Sequence, residues 1–259
     1  MTTALAKVNH PSADHPVVSR QQWLDARKAL LAREKELTQL GDRIASERRA
    51  LPWARLETNY LFDTPEGRKP LADLFDGHRQ LVVQHFMLAP GWEQGCKSCS
   101  YMADHTDATL PHLAARDTAF VAISRAPLSE IERFKQRMGW TFRWVSSDGT
   151  DFNRDFHVTF TPEEIAGGKA DYNFGGKAHG AELPGVSVFY KDDAGEVFHT
   201  YSTFGRGVEV MMHTYNLLDL TPQGRDEDGL EFTMAWVRHH DRYETAPKPA
   251  KANKSCCAG

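Results

Sequence analysis

Two cysteines three residues apart follow a nearly continuous apolar run and a short turn that contains proline and glycine. The run spans residues 81–88, and the cysteines are Cys96 and Cys99. Such a run is typical of a strand that is covered on both faces, as in a parallel sheet. The residues after Cys99 are typical of a helix until about 111–115. We therefore predict both sulfurs on the first turn of a helix, at a strand-to-helix junction, where residues three apart share one face.

The segments that follow continue the alternation of strands and helices. Residues 119–123 predict a second buried strand, and residues 128–138 predict a helix. Residues 186–190 and 197–201 predict an antiparallel hairpin, and residues 208–218 predict a closing helix. Two parallel strands with crossover helices, then a hairpin and a final helix, make up the thioredoxin arrangement. The fold class is therefore predicted to be α/β and thioredoxin-like, with a central mixed sheet flanked by helices.

The other segments are an N-terminal helical arm, a long insertion before the C-terminal hairpin, and two tails. We predict a flexible N-terminus at 1–18, a helical arm at 19–52, a thioredoxin-like domain at 58–220 with an insertion at about 146–183, a C-terminal extension at 221–245, and a disordered tail at 246–259. The arm has roughly helical apolar periodicity and Ser19 as its N-cap. It is expected either to pack on its own domain or to join two copies in a homodimer. In the insertion, residues 172–176 form either a lid over the cysteines or a plain surface loop.

Charge and cysteine number narrow the class of function. The formal net charge of -4 gives no general attraction for nucleic acid or an anionic membrane. The first 15 residues contain no apolar run of the length that a signal peptide or spanning helix needs, so we expect a cytoplasmic protein. Four cysteines in 259 residues do not make a disulfide scaffold. In a reducing compartment, a paired motif more often indicates redox chemistry or metal binding.

The two cysteines are predicted to have different roles. At the helix N-terminus, unpaired amides and the helix macrodipole favour a thiolate and lower the pKa of Cys96. Because a thiolate is the species that attacks a disulfide, Cys96 is the predicted nucleophile. Cys99, one turn further and less exposed, is predicted to resolve the mixed disulfide. Lys97 adds positive charge and Ser98 leaves the sulfur approachable, although ordinary surface solvation explains both residues equally well.

Three other uses of the pair stay open. A zinc site needs four ligands, of which the pair supplies two, and His105 and His112 would have to bend back across the helix to help. The cysteines could also be inert, on a redox-silent binding protein. A thiol peroxidase would place its thiolate at the same helix start, but residues 89–95 contain no hydroxyl side chain to hold a peroxide oxygen.

A second cysteine pair, Cys256 and Cys257, lies in the predicted tail. These thiols could exchange disulfides with the first pair, bind a soft metal, or be an incidental exposed pair. Soft-metal handling is therefore a weak alternative function, with Cys256 and Cys257 as ligands. Residues 239–241 carry two histidines and an aspartate, but adjacent side chains on a strand would point to opposite faces, which disfavours a shared metal. No other metal site is expected.

These residues together resemble a bacterial thioredoxin-like family of unknown function whose members are described as predicted dithiol-disulfide oxidoreductases. The resemblance covers nearly the whole chain. Its carriers are Trp23 to Glu34, Tyr60-Leu61-Phe62, His85-Phe86-Met87 leading into Trp92 and Gly95-Cys96-Lys97-Ser98-Cys99-Ser100, Ser187 to Tyr190, Phe198 to Ser202, and Trp236 to Tyr243. It implies a thioredoxin-like fold and thiol-disulfide activity, and it does not identify a substrate.

Two differences from thioredoxin affect the surroundings of the pair. Thioredoxin has Trp-Cys-Gly-Pro-Cys, whereas here Trp92 lies four positions before Cys96 and Lys97-Ser98 replaces Gly-Pro, so the redox potential does not transfer. Thioredoxins also place a cis proline just before the hairpin strand, opposite the cysteines. Pro184 is the candidate by position, and an ordinary trans loop proline is the alternative. Trp92, Lys97, Ser98 and Pro184 are the predicted substrate-binding residues.

The sequence thus predicts an enzyme that cycles Cys96 and Cys99 between dithiol and disulfide. It is expected to reduce, or less often oxidise, a protein or small-molecule disulfide. No bound cofactor is needed, because the two thiols carry the electrons. A partner reductase, which the sequence does not identify, would supply them.

Overall fold

The computed structural model describes residues 15–244 of the 259-residue chain. The predicted tail at 246–259, with Cys256 and Cys257, lies outside the described residues, as does most of the predicted flexible N-terminus. Within the described residues, no helix combines the length and the apolar character needed to cross a bilayer.

The first half of the chain supplies one edge and the centre of the sheet. Its elements are α1 (Arg20–Arg49), β1 (Ala54–Arg55), β2 (Leu61–Thr64), β3 (Gly67–Pro70), a 3-10 helix (Leu71–Phe75), β4 (Gln80–His85), α2 (Lys97–Ala103), a 3-10 helix (Asp107–Thr109), α3 (Leu110–Ala114) and β5 (Thr118–Ser124). The second half adds the insertion, the hairpin and the closing segments. Its elements are α4 (Leu128–Met138), β6 (Arg143–Ser146), α5 (Phe152–Asp155), α6 (Pro162–Ala166), β7 (Asp171–Tyr172), β8 (Gly176–Lys177), β9 (Gly185–Lys191), β10 (Val197–Phe204), a 3-10 helix (Gly205–Met211), α7 (His213–Leu218) and a 3-10 helix (His240–Arg242).

Eight strands form one mixed sheet in the order β1-β10-β9-β4-β5-β6-β2-β3. The three strands β4, β5 and β6 are parallel, while β9 is antiparallel to β4 and β10 is antiparallel to β9. Val83 of β4 lies opposite Val121 of β5 on one side and opposite Ser187 of β9 on the other. Parallel strands joined by helical crossovers, followed by a hairpin and α7, confirm the predicted thioredoxin-like α/β fold.

Both faces of the central strand are covered. Leu81 and Val83 are fully buried in one core cluster with Phe75 of the first 3-10 helix and Phe152 of α5. Gln84 points to the other face, where its Nε2 donates to the carbonyl oxygen of Cys99 in α2 at 3.1 Å. Because side chains alternate across a strand, helices lie on both faces of the sheet, as the continuous apolar run predicted.

The helix that follows the cysteines is shorter than predicted. It ends at Ala103, and a separate 3-10 turn and α3 follow it. Contacts with distant segments explain the break: the Asp104 carboxylate accepts a 2.8 Å hydrogen bond from Trp140 Nε1. The Asp107 carboxylate accepts 2.8 Å hydrogen bonds from the backbone N–H groups of Thr141 and Phe142. These carboxylates hold the chain to the start of β6 instead of letting the helix continue.

The closing helix is also interrupted, at Met212. The backbone of this residue has φ -99° and ψ 74°, which is outside the helical region, so a 3-10 helix and α7 replace the single predicted helix. Met212 is 5% exposed and packs in a cluster with Tyr101 and Met102 of α2. The break therefore brings the closing segments against the helix that carries the cysteines.

The N-terminal arm is one uninterrupted helix of 30 residues. Ser19 caps it, since its side chain accepts from the backbone N–H of Gln22, whose side chain bonds back to Ser19. No residue of α1 is buried, so the interpretation of a packing arm is wrong for most of its length. Its exposed apolar side chains are Trp23, Leu30, Leu31, Leu37, Leu40 and Ile44.

Candidate functional site

The loop between β4 and α2 folds back, so that Cys96 lies next to the end of β4. The backbone N–H of Cys96 donates to the carbonyl oxygen of Met87 at 3.0 Å. Cys96 is the N-cap residue of α2, and its carbonyl oxygen accepts hydrogen bonds from the backbone N–H of Ser100 at 2.9 Å and from the Ser100 hydroxyl at 2.8 Å. The strand end and the first helical turn therefore fix the position of Cys96 from both sides.

Gly95 allows the close approach that this junction requires. A Cβ atom at this position would lie 2.6 Å from Cε1 of Phe86 and 2.7 Å from Cε1 of Phe134. Both rings belong to the core cluster that also contains Cys99. A side chain at residue 95 would thus push either the aromatic core or the Cys96 turn out of place.

The two thiols differ in burial and in charge. Cys96 is half-buried, whereas Cys99 is 1% exposed. A hydrogen bond from the Cys99 thiol, aided by the backbone N–H groups of Cys99 and Ser98, lowers the pKa of Cys96 to about 6 against the opposing effect of burial. Donation of that hydrogen bond and burial raise the pKa of Cys99. At neutral pH the pair therefore holds a thiolate on Cys96 and a proton on Cys99.

A cavity of about 890 Å³ opens beside the pair, with Ser98 and Cys99 in its lining. Pro184 also lies in the lining, and its carbonyl oxygen accepts a 2.6 Å hydrogen bond from the hydroxyl of Tyr172. The same hydroxyl accepts from the backbone N–H of Gly205 at 2.9 Å. Tyr172 therefore ties the insertion to the hairpin, and its segment forms one side of the cavity.

The predicted substrate-binding residues divide into two groups. Ser98 and Pro184 line the cavity with Cys99. Lys97 is the exposed first residue of α2, and Trp92 is 39% exposed in the preceding loop. Neither residue belongs to the cavity lining that the described residues form. The peptide bond before Pro184 is trans, since the described residues contain no cis peptide bond.

The C-terminal extension holds the junction in a way that sequence reasoning missed. His239 is 4% exposed, and its Nε2–H donates to the carbonyl oxygen of Gly95 at 2.9 Å. Its Nδ1 accepts from Nη2 of Arg137 at 3.4 Å, and Arg137 also pairs with Asp241 at 2.9 Å. His240–Arg242 forms a 3-10 helix, so these residues do not have the strand geometry. The two adjacent histidines are the sequence signal for this contact.

A buried polar chain on the opposite face of the sheet was also missed. His85 Nε2 is hydrogen-bonded to the Ser187 hydroxyl at 2.7 Å. The Ser187 hydroxyl is hydrogen-bonded to the Ser202 hydroxyl at 2.8 Å, and the Ser202 hydroxyl is hydrogen-bonded to His199 Nε2 at 2.7 Å. Burial lowers the pKa of His85 to about 3, so its imidazole is neutral at physiological pH. His199 and Ser202 line a second cavity of about 350 Å³.

Neither His105 nor His112 joins the two cysteines in a group that could hold a zinc ion. His105 Nε2 is hydrogen-bonded to the hydroxyl of Thr214 at 2.7 Å, on the side of α2 that meets α7. Within residues 15–244, no group of three or more His, Cys, Asp or Glu side chains is placed to hold a metal ion. The alternative ligands Cys256 and Cys257 lie outside these residues.

Comparison with known proteins identifies a family. The sequence model of a family described as "Bacterial protein of unknown function (DUF899)" matches residues 12–243. The search of curated proteins found no match. Peroxiredoxin Q of Xanthomonas campestris is similar in structure, with 14% identity, a TM-score of 0.42, and coverage of 63% of this chain and 95% of that one. The peroxidoxin BcpB of Mycobacterium tuberculosis has 13% identity, a TM-score of 0.41 and coverage of 63% and 97%. At these values the likeness carries no activity over to this chain.

Proposed function

This chain belongs to the DUF899 family of bacterial proteins of unknown function, and we propose that it is a thiol-disulfide oxidoreductase. The observation that carries this proposal is the position of Cys96 as the N-cap of α2 and of Cys99 in its first turn, close enough for each thiol to shift the pKa of the other. A pair in contact can close into a disulfide with little movement of the chain. A dithiol reductase of the cytoplasm is the expected electron donor.

The proposed reaction is a two-step thiol-disulfide exchange. The Cys96 thiolate attacks one sulfur of the substrate disulfide, the substrate S–S bond breaks, and the first substrate thiolate leaves and takes a proton from water. Cys99 then loses its proton and attacks the Cys96 sulfur. The second substrate thiol leaves, and a Cys96–Cys99 disulfide forms. The substrate gains two electrons from the thiol pair and two protons, one from water and one that corresponds to the proton lost by Cys99.

The asymmetry of the pair supports these roles. The partly accessible Cys96 is the thiolate, and the buried Cys99 keeps its proton until the mixed disulfide has formed. When the Cys96 sulfur becomes part of a disulfide, the hydrogen bond that Cys99 donated to a thiolate is lost. The pKa of Cys99 then falls towards its ordinary range, which favours the second step.

A single-turnover assay tests the proposal. Prereduced protein carrying Cys256→Ser and Cys257→Ser, so that only one pair remains, is mixed with bis(2-hydroxyethyl) disulfide, and released thiol is counted. We expect two thiols released per protein. Cys96→Ser should release none, and Cys99→Ser should release one and retain a trapped mixed disulfide on Cys96. Release of one thiol by Cys96→Ser, together with no release by Cys99→Ser, would reverse the assigned roles.

Thiol peroxidase activity is the second candidate, favoured by the low pKa of Cys96. In that reaction the thiolate attacks one peroxide oxygen, the O–O bond breaks, hydroxide leaves and takes up a proton, and Cys96 becomes a sulfenic acid. Cys99 then attacks the Cys96 sulfur and expels water as the disulfide forms. Replacing the disulfide with hydrogen peroxide in the same assay separates the two candidates. Faster oxidation of the pair by peroxide than by any disulfide would favour the peroxidase.

A further inference from the structure

The cavity beside the cysteine pair has the size and enclosure of a small-molecule site. Its volume of about 890 Å³ falls within the range of ligand pockets, roughly 300–1,000 Å³. Tyr172 and His179 of the insertion, Pro184 just after it, and Glu227 and Met234 of the C-terminal extension all lie in its lining. A concave space between two added segments suits a compact ligand better than the flat surface of a folded protein.

Acidic side chains dominate the charges around this cavity. Five carboxylates and two guanidiniums lie in its lining. They are Glu209, Asp219, Asp226, Glu227 and Asp228, with Arg206 and Arg225, and His179 lies in the wall formed by the insertion. The partners of each group decide how much of this negative charge a ligand would experience.

Both guanidiniums are paired with carboxylates of the same wall. Arg206 Nε lies 2.7 Å from Glu209 Oε1. Arg225 lies 2.9 Å from Glu209 Oε2 and donates two hydrogen bonds of 2.8 Å to the two oxygens of Asp219. These two arginines are therefore neutralised by Glu209 and Asp219, and they leave three carboxylates of the wall without a cation.

Those three carboxylates belong to Asp226, Glu227 and Asp228, which are consecutive in the chain. Glu227 accepts hydrogen bonds from the Tyr215 hydroxyl at 2.7 Å, from Trp236 Nε1 at 2.6 Å and from a backbone N–H at 2.9 Å, and all three donors are neutral. Asp226 and Asp228 are exposed, and no ion pair among residues 15–244 includes either of them. The lining of the cavity thus carries uncompensated negative charge.

We infer that the disulfide reduced at Cys96 is a low-molecular-weight disulfide whose substituents carry positive charge, such as ammonium groups. This inference rests on the proposed function, since the cavity that holds the carboxylates is also lined by Cys99, the partner of Cys96. With the substrate sulfur at Cys96, its substituent would enter the cavity beside Ser98 and Cys99, whose lining also contains Asp226 and Asp228. A cation there is attracted by the wall, whereas an anionic substituent is repelled.

Three probes with the same short disulfide framework test the charge preference. Cystamine carries two ammonium groups, bis(2-hydroxyethyl) disulfide is neutral, and dithiodiglycolate carries two carboxylates. For each probe, the single-turnover rate constant of the prereduced protein is divided by the rate constant of dithiothreitol with the same probe. This division removes differences in intrinsic reactivity among the three disulfides. We expect a normalised ratio of cystamine to dithiodiglycolate of roughly tenfold or more at low salt, and a smaller ratio at high ionic strength.

A matched pair of double variants assigns the preference to the cavity. Asp226→Asn with Asp228→Asn should bring the normalised ratio close to one. Asp42→Asn with Glu57→Gln makes the same change in net charge, and neither residue lines the cavity, so this control should keep the wild-type ratio. Both variants change exposed side chains, and their circular dichroism spectra should match that of the wild type.

The outcomes separate this inference from the proposed function. If no disulfide probe is reduced, the proposed function fails and the inference fails with it. If all three are reduced with equal normalised rates, or if the Asp226/Asp228 variant keeps the preference, the charge inference is overturned and the function stands. Faster reduction of insulin than of cystamine would overturn the assignment to a small molecule.

Discussion

The Nε2–H of His239 donates a 2.9 Å hydrogen bond to the carbonyl oxygen of Gly95, which lies 144 residues earlier in the chain. Gly95 immediately precedes the proposed nucleophile, so the C-terminal extension holds the backbone on which Cys96 is placed. Arg137 of α4 contacts the other ring nitrogen and also bonds to Gln94 at 3.0 Å. The extension, α4 and the cysteine loop therefore meet at one buried imidazole.

We expect His239 to act as a positioning residue. His239→Ala leaves the carbonyl oxygen of Gly95 without its donor and should lower the free energy of unfolding by about 1–3 kcal/mol. It should also shift the pKa of Cys96, measured from the pH dependence of iodoacetamide alkylation. His239→Gln keeps an N–H donor and should restore much of both quantities. If His239→Ala loses stability but keeps the pKa of Cys96 unchanged, the residue is purely structural.

The close packing of Gly95 predicts a sharp effect of one methyl group. Gly95→Ala should lower the free energy of unfolding by about 1–3 kcal/mol and slow disulfide reduction, because the new Cβ overlaps the rings of Phe86 and Phe134. Gly41→Ala is the matched control, since a Cβ there meets no atom within 4 Å. It should leave the reduction rate unchanged. Equal rates for the two variants would contradict the packing argument.

The two shifted thiol pKa values predict how the reduced protein depends on pH. The pKa of Cys96 falls from 9.0 to about 6 on folding, so its contribution to stability is fully present above pH 9 and is lost as pH falls towards 6. The pKa of Cys99 is raised, so its contribution is present below about pH 9 and is lost at higher pH. Stability of the reduced form should therefore rise between pH 6 and 9 and then decline. Urea unfolding at several pH values measures this.

Cys96→Ser is the control for the pH profile. It removes the group responsible for the rise, so the variant should show a flatter profile between pH 6 and 9. The alkylation rate of wild-type Cys96 should reach half of its maximum near pH 6. A midpoint near 9 would show that α2 does not stabilise the thiolate.

The exposed apolar residues of α1 predict an association through the arm. Leu30 and Leu37 are 55% and 70% exposed and lie two helical turns apart on one side. Covering them in a homodimer would remove apolar surface from water. We expect sedimentation to show a dimer, and Leu30→Glu with Leu37→Glu to shift it towards monomer. Lys28→Glu with Lys35→Glu is the control on the same helix. A monomeric wild-type protein would contradict the prediction.

Local patterns made much of the fold predictable. The apolar run that becomes β4, the alternating hairpin of β9 and β10, and the cap at Ser19 all depend on neighbouring residues. The placement of Cys96 at a helix start followed from the same patterns. These features need no knowledge of distant contacts, which is why periodicity and turn residues were sufficient.

Long-range contacts explain what was missed. The helix after Cys99 stops early because Asp107 bonds to the backbone of Thr141 and Phe142, more than 30 positions away in the chain. The role of His239 depends on a partner 144 residues distant. The cavity is built from the insertion and the extension, and their meeting could not be inferred from the local pattern of either segment.

The central claim is that Cys96 and Cys99 form a reversible redox couple in the folded protein. The most direct test equilibrates the Cys256→Ser, Cys257→Ser protein with dithiothreitol redox buffers and counts free thiols after acid quenching. We predict one two-electron transition in which both thiols disappear together into an intramolecular disulfide. Thiols that stay reduced at every potential, and that react only after the protein is unfolded, would contradict the claim.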